Sequence, residues 1–121
     1  MSRILIIDDE KDIRSVLREL FESEGYEVVE AQNGKDGLNL FHTTPIDLVI
    51  TDIVMPEKEG ISTIIDLKKE NPKIKIIAIS GGGLIIPIQY LEYAEKFGAD
   101  RIFRKPLEFE PLLQAIKELL N

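Results

Sequence analysis

Four groups of residues carry the chemistry available to this sequence: Asp8-Asp9-Glu10, Asp52, Ser80 and Lys105. Each stands where an apolar run ends or just past it. "RILII" runs into Asp8, "LVIT" into Asp52 and "IKIIAI" into Ser80, while Lys105-Pro106 follows "RIFR". Carboxylates gathered at one edge of a fold repel, which raises their pKa values and lowers stability. A divalent cation removes the conflict. Carboxylate oxygens suit a hard ion such as Mg²⁺, which takes one or two carboxylates together with waters and phosphate oxygens. A hydroxyl from Ser80 and an ammonium from Lys105 beside such a cluster make a cradle for a phosphoryl group. Transfer of that group needs mainly positioning and charge stabilisation, and Asp52 is the nucleophile in this reading, since carboxylates form acyl phosphates. A plainer role for Asp8 and Asp9 is to cap the helix that follows, but two acids plus Asp52 exceed what a cap needs.

These residues converge only if the chain folds so that the runs lie side by side. Five apolar runs read as strands: β1 at 3–8, β2 at 26–31, β3 at 47–52, β4 at 74–80 and β5 at 101–104. They are rich in Ile and Val and bounded by Gly, Pro, Asn or Asp. The first, third and fourth are nearly continuous apolar runs, the pattern of parallel strands covered on both faces. Helical periodicity fills the intervals: α1 at 10–24, with Ile13, Val16, Leu17, Leu20 and Phe21 on one face; α2 at 34–43; α3 at 60–70; α4 at 87–97; and α5 at 108–120. Gly25 and Gly98 mark helix ends. Strict β-α alternation implies a parallel sheet with right-handed crossovers and helices on both faces. Sites in such sheets lie beyond the carboxyl ends of the strands, which is where all four groups fall.

Composition bounds the rest. At 121 residues the chain reads as a single domain, 1–121, with room for a full core. The 44% hydrophobic and 31% charged content is that of a globular protein. A net charge of −7 argues against direct nucleic-acid binding or an anionic membrane surface. No segment has the apolar length of a membrane span, and the N-terminus does not read as a signal peptide, so a cytoplasmic location is expected. Cysteine is absent, which excludes disulfides and thiol chemistry.

The residues "DDE" (8–10), "TDIVMPEKEG" (51–60), "SGG" (80–82) and "KP" (105–106) together resemble the receiver domain of bacterial two-component response regulators, the chemotaxis-regulator-like family. The resemblance covers the whole chain, and Met55-Pro56 and Gly60 fit the family pattern after Asp52. It implies a flavodoxin-like (βα)5 sandwich with a parallel five-stranded sheet in the order 2-1-3-4-5, two helices on one face and three on the other. By the same resemblance Asp52 is the phosphoacceptor, and Asp8, Asp9 and Asp52 bind Mg²⁺ with the main-chain carbonyl of Val54. Ser80 and Lys105 contact the phosphoryl group. The implied donor is a histidine kinase or phosphotransfer protein. The implied output runs through the α4–β5–α5 surface to a downstream effector protein or a separate output domain, with a homodimer through that surface as a further expectation. Such a domain is no enzyme beyond its own phosphorylation and dephosphorylation.

Two features depart from the family pattern. The aromatic residue expected three positions before the lysine is Ile102, and Phe103 lies one place later. Alternation along a strand then sends Phe103 to the core and Ile102 to the surface, so an aliphatic switch replaces the usual aromatic one. The second departure is the glycine-rich stretch after Ser80, where Gly82 and Gly83 make the β4–α4 connection conformationally permissive. It leads into Tyr90, Tyr93 and Phe97, a stripe at helical spacing that suits a partner contact or the lid of a wider core.

Other readings compete. A phosphatase resembling the haloacid dehalogenases wants a second acid two residues after the nucleophile, where Val54 cannot transfer a proton. A flavin-phosphate site after β1 would be repelled by "DDEKD". The runner-up is a receiver-like module that binds protein partners independently of phosphorylation.

Overall fold

The computed structural model describes residues 1–53, 60–81 and 88–121, the side chains of 88–91 excepted. The order of elements is β1 (Arg3–Ile7), α1 (Lys11–Ser23), β2 (Glu27–Ala31), α2 (Gly34–Thr43), β3 (Leu48–Asp52), α3 (Gly60–Glu70), β4 (Lys75–Ser80), α4 (Ile88–Phe97), β5 (Arg101–Arg104) and α5 (Phe109–Leu120). The strands form one parallel sheet, β2-β1-β3-β4-β5. This is the flavodoxin-like architecture expected from the sequence, with element ends moved by a residue or two.

Burial explains why the central strands are so apolar. All five residues of β3 are buried, as are Ile4 to Ile7 of β1. One core layer joins Leu5, Ile7, Val49, Ile76 and Ala78 to Ile64 and Leu67 of α3 and Ala94 of α4, with Leu38 and Phe41 of α2 packed against it. The opposite layer joins Ile4, Ile6, Ile50, Ile77 and Ile79 to Leu17 and Phe21 of α1 and Leu112 and Ile116 of α5. Two helices therefore cover one face and three the other. Each fully buried Leu, Ile or Phe contributes about 1.5–3 kcal/mol relative to exposure, so the sheet is held rigidly from both sides.

Ile102 corrects an expectation. Alternation does send Phe103 toward the α1/α5 layer, but Ile102 is not surface-directed: it is half-buried and packs against the layer built with α2, α3 and α4. The reason is that helices cover both faces of the sheet, so at this point of β5 the second face is also occupied.

Chain order places the site. From β1 the sheet grows one way to β2 and the other way to β3, and the crevice outside such a reversal is where ligands bind in open α/β sheets. Asp8 follows β1 and Asp52 closes β3, so both acids lie at that crevice.

Candidate functional site

Asp8 is almost wholly buried, at 1% exposure. Its main-chain N–H donates to the Ala31 carbonyl at 3.1 Å, which continues the β1–β2 pairing one residue past the strand. Its Oδ1 accepts from the Glu10 N–H at 2.8 Å. From the α1 side, Arg14 Nη1 donates to the Asp8 carbonyl at 2.6 Å while its Nε meets Glu30 Oε1 at 3.1 Å. Glu30 is shared with Arg18, whose Nη1 lies 2.6 Å from Oε2. Asp9, next in the chain, is exposed.

Asp52 is 4% exposed at the end of β3. Thr51 Oγ1 donates to its carbonyl at 3.0 Å. Gly60 opens α3 directly against this strand end: a Cβ there would collide with the Asp52 carbonyl oxygen and with Ile53 Cα. Ser80, at the end of β4, is 1% exposed, and its carbonyl accepts from the Lys105 N–H at 2.8 Å. The intervening Gly81 has φ +119° and comes close to the Lys105 main chain, so a side chain there is disfavoured twice.

Lys105 binds these groups together. Its Nζ lies 3.1 Å from Asp52 Oδ2, 3.2 Å from Asp8 Oδ2 and 3.0 Å from Glu10 Oε1, and its side chain is 7% exposed. Burial by itself would lower the ammonium pKa. The carboxylates of Glu10, Asp52 and Asp8 outweigh burial and hold it well above the usual lysine value, so Lys105 remains a fixed cation. Asp8 moves the other way from a satisfied ion pair. Its pKa is raised, chiefly by burial and further by Asp52, despite the Glu10 N–H and the shared ammonium. One cation does not neutralise this pocket.

The donor set fits a hard divalent cation. Carboxylate oxygens of Asp8, Asp9, Glu10 and Asp52 all lie within 4.8 Å of one another. Asp8 Oδ2 is buried and makes no hydrogen bond among the described residues; Lys105 Nζ lies at ion-pair distance but outside hydrogen-bond geometry. A buried carboxylate oxygen without a donor is expensive, and an oxygen-seeking cation is the ligand that satisfies it.

The fold thus brings Asp8, Asp9, Asp52 and Lys105 together and sets Ser80 at a neighbouring strand end. Val54, Gly82 and Gly83 lie outside the described residues, as does the side chain of Tyr90. Tyr93 and Phe97 are exposed on α4, their ring centroids 6.4 Å apart. His42 meets Glu70 at 2.7 Å between α2 and α3. Sequence reasoning missed two contacts: Glu10 reaching Lys105, and Arg14 holding the Asp8 carbonyl. Beside Lys105, an apolar hollow of about 250 Å³ is lined by Ile13, Val16, Leu17, Pro106, Leu107 and Phe109.

Among the described residues no helix is long and apolar enough to cross a membrane. A family model for the response regulator receiver domain matches residues 4–117. Over 121 residues the chain is 33% identical to the transcriptional regulatory protein CpxR of Escherichia coli (strain K12), covering all of this chain and 50% of that protein. It is 30% identical over 118 residues to sporulation initiation phosphotransferase F of Bacillus subtilis (strain 168), covering 98% of this chain and 93% of that one. The chain therefore spans about half the length of CpxR and nearly all of the second relative. Among solved structures, a receiver domain protein from Clostridium thermocellum superposes with a TM-score of 0.91 at 34% identity, covering 100% of this chain and 95% of that one. The response regulator TrrA from Thermotoga maritima, in complex with Mg(2+)-BeF, gives 0.87 at 34% identity, covering 99% and 100%. Fold, site and relatives agree that this chain belongs to the response regulator receiver domains, signalling modules of two-component systems.

Proposed function

We propose that the single domain 1–121 is a phosphorylation switch in which Asp52 accepts a phosphoryl group from a phosphohistidine on a histidine kinase or phosphotransfer protein. A carboxylate oxygen of Asp52 attacks phosphorus. The O–P bond forms as the P–N bond breaks, and the electron pair leaves with the imidazole. The observation that carries this reading is Lys105, a cation held 3.1 Å from Asp52 Oδ2 at the end of a fully buried strand. Rigid backbone on both sides keeps the nucleophile in line, while Lys105 and Ser80 face the phosphoryl oxygens. Asp8, Asp9 and Asp52, with the Val54 carbonyl, would hold Mg²⁺, which supplies neutralising charge for the transferring group.

A dianionic group on Asp52 competes for Lys105 and Ser80 and biases the β4–α4 connection. That bias is passed through the core-packed Ile102 to the α4–β5–α5 surface, which carries the exposed Tyr93, and alters affinity for a downstream effector protein, an output domain or a second copy. The exposed Tyr93–Phe97 pair supports a contact role for α4. The apolar hollow beside Lys105 supports a protein donor, since apolar surface next to a site is what a protein partner can bury.

Intact mass after incubation with acetyl phosphate, with and without Mg²⁺, tests the reading. A Mg²⁺-dependent gain of about 80 Da that Asp52→Asn abolishes is expected. No gain in the wild type, from acetyl phosphate or from a phosphorylated histidine domain, would leave a binding module that acts without this chemistry.

A further inference from the structure

Glu10 occupies the N-cap position of α1, yet its side chain makes no cap hydrogen bond. Side-chain oxygens at this position ordinarily turn back to the first free N–H groups of the helix. The Glu10 carboxylate instead crosses the site to Lys105 Nζ at 3.0 Å, a contact between residues 95 apart in sequence. Its main chain is pinned for that reach, because the Glu10 N–H is tied to Asp8 Oδ1 at 2.8 Å. The glutamate side chain is 53% exposed while that of Lys105 is 7% exposed, so Glu10 forms the outer wall over the ammonium.

We propose that Glu10 is a positioning residue that gates phosphoryl entry by holding Lys105 in a resting, three-carboxylate grip. This rests on the reading of Asp52 as phosphoacceptor. An ammonium has three N–H donors, and among the described residues three carboxylates lie within ion-pair distance of it. Hydrogen bonds run from the ammonium to Glu10 and Asp52, with Asp8 at ion-pair distance, so an arriving phosphoryl oxygen competes with Glu10 for the outward side of Lys105. Asp8 and Asp52 are buried on strand ends; the exposed Glu10 is the partner free to move. Its charge also faces the anionic donor as it arrives. Glu10 therefore slows phosphorylation, and it competes with the phosphoryl group for the lysine afterwards.

The test compares wild type, Glu10→Gln and Glu10→Asp for the rate of phosphorylation by acetyl phosphate at saturating Mg²⁺, so that weakened metal binding cannot imitate the effect. Aspartate keeps the charge but is one methylene short of the lysine. A gain of about two- to fivefold is expected for both variants, the size of a partly exposed ion pair. In parallel, the relative rate of Lys105 acylation by a small anhydride, read by peptide mass spectrometry, should rise in both without any phosphorylation. Slower phosphorylation in Glu10→Gln, a wild-type rate in Glu10→Asp, or unchanged Lys105 labelling would each overturn the gate. A wild type that takes up no phosphoryl group from acetyl phosphate or from a phosphorylated histidine domain would instead overturn the phosphoacceptor reading, and the labelling then decides the grip by itself.

Discussion

Arg14 Nη1 donates to the main-chain carbonyl of Asp8 at 2.6 Å, so the turn that carries the acidic pair is held from α1 as well as from the sheet. The guanidinium does this while also meeting Glu30, a two-sided task that suits its fork and not a lysine ammonium. Arg14→Ala and Arg14→Lys should both weaken Mg²⁺ binding by about tenfold, at the low end of losses from outer-shell partners of metal sites. Isothermal titration calorimetry checks this, with circular dichroism to verify the fold. Full rescue by lysine would mean that only the positive charge matters.

Glu30 gives the acid limb of stability a defined sign. Burial would raise its pKa, but Arg18 and Arg14, reaching it from α1, together hold it below the ordinary carboxylate value. Folded Glu30 thus binds its proton less tightly than unfolded Glu30. The stability it adds is present above about pH 4.3, the unfolded value, and is lost as pH falls through the lower folded value. In urea unfolding between pH 7 and 3, Glu30→Gln should show a shallower acid decline than wild type. Parallel curves for the two proteins would count against the Arg14–Glu30–Arg18 network.

Asp8 is expected to destabilise the metal-free protein. Its charge is buried, and Asp52 adds repulsion that Lys105 does not cancel. Asp8→Asn should raise the unfolding free energy at pH 7 by about 1–2 kcal/mol. The same change should abolish stabilisation by Mg²⁺, which shifts the wild-type equilibrium by mass action. Thermal melts with and without Mg²⁺ for both proteins read the two effects together.

Two glycines should respond differently to the same added methyl. At Gly60 the new Cβ meets main chain, the Asp52 carbonyl and Ile53 Cα, which cannot turn aside. At Gly37 it meets Cδ1 and Cγ1 of the fully buried Ile7, a side chain that shifts only by repacking the core around it. Gly60→Ala should cost about 2–3 kcal/mol and slow phosphoryl uptake by displacing Asp52. Gly37→Ala should lose less, since a side chain can repack where main chain cannot and alanine regains about 1 kcal/mol of helix propensity. Chemical denaturation of both variants gives the comparison; equal losses would mean that α3 can move off the strand end.

The architecture was legible because its determinants are local. Ile and Val runs of strand length alternate with helical stripes, and the acids and the lysine stand at the ends of those runs, so one topology brings Asp8, Asp52 and Lys105 to one edge. What could not be read lies in side-chain reach. Nothing in the spacing of Glu10 and Lys105 distinguishes that glutamate from any other exposed acid at a helix start. Arg14 is one of several charged residues along α1, and its partner is a main-chain carbonyl, which no residue pattern advertises. Ile102 was misjudged for a third reason: alternation gives the relative direction of neighbours along a strand, not whether each side is covered.

The far reach of Lys105 also bears on how the chain is made. Synthesis delivers Asp8, Asp9, Glu10 and Asp52 well before the lysine that three of these acids share. Until β5 docks, the partly built sheet carries a concentration of negative charge without its cation, and closing so long a loop is among the slower events in folding. The last strand is therefore the one that relieves the strain of the first and third. A ribosome-bound or cleaved chain lacking it would display Asp52 but not the ammonium that lies beside it in the finished fold. On the proposed reading of Asp52 as phosphoacceptor, competence to accept a phosphoryl group and completion of folding are the same event.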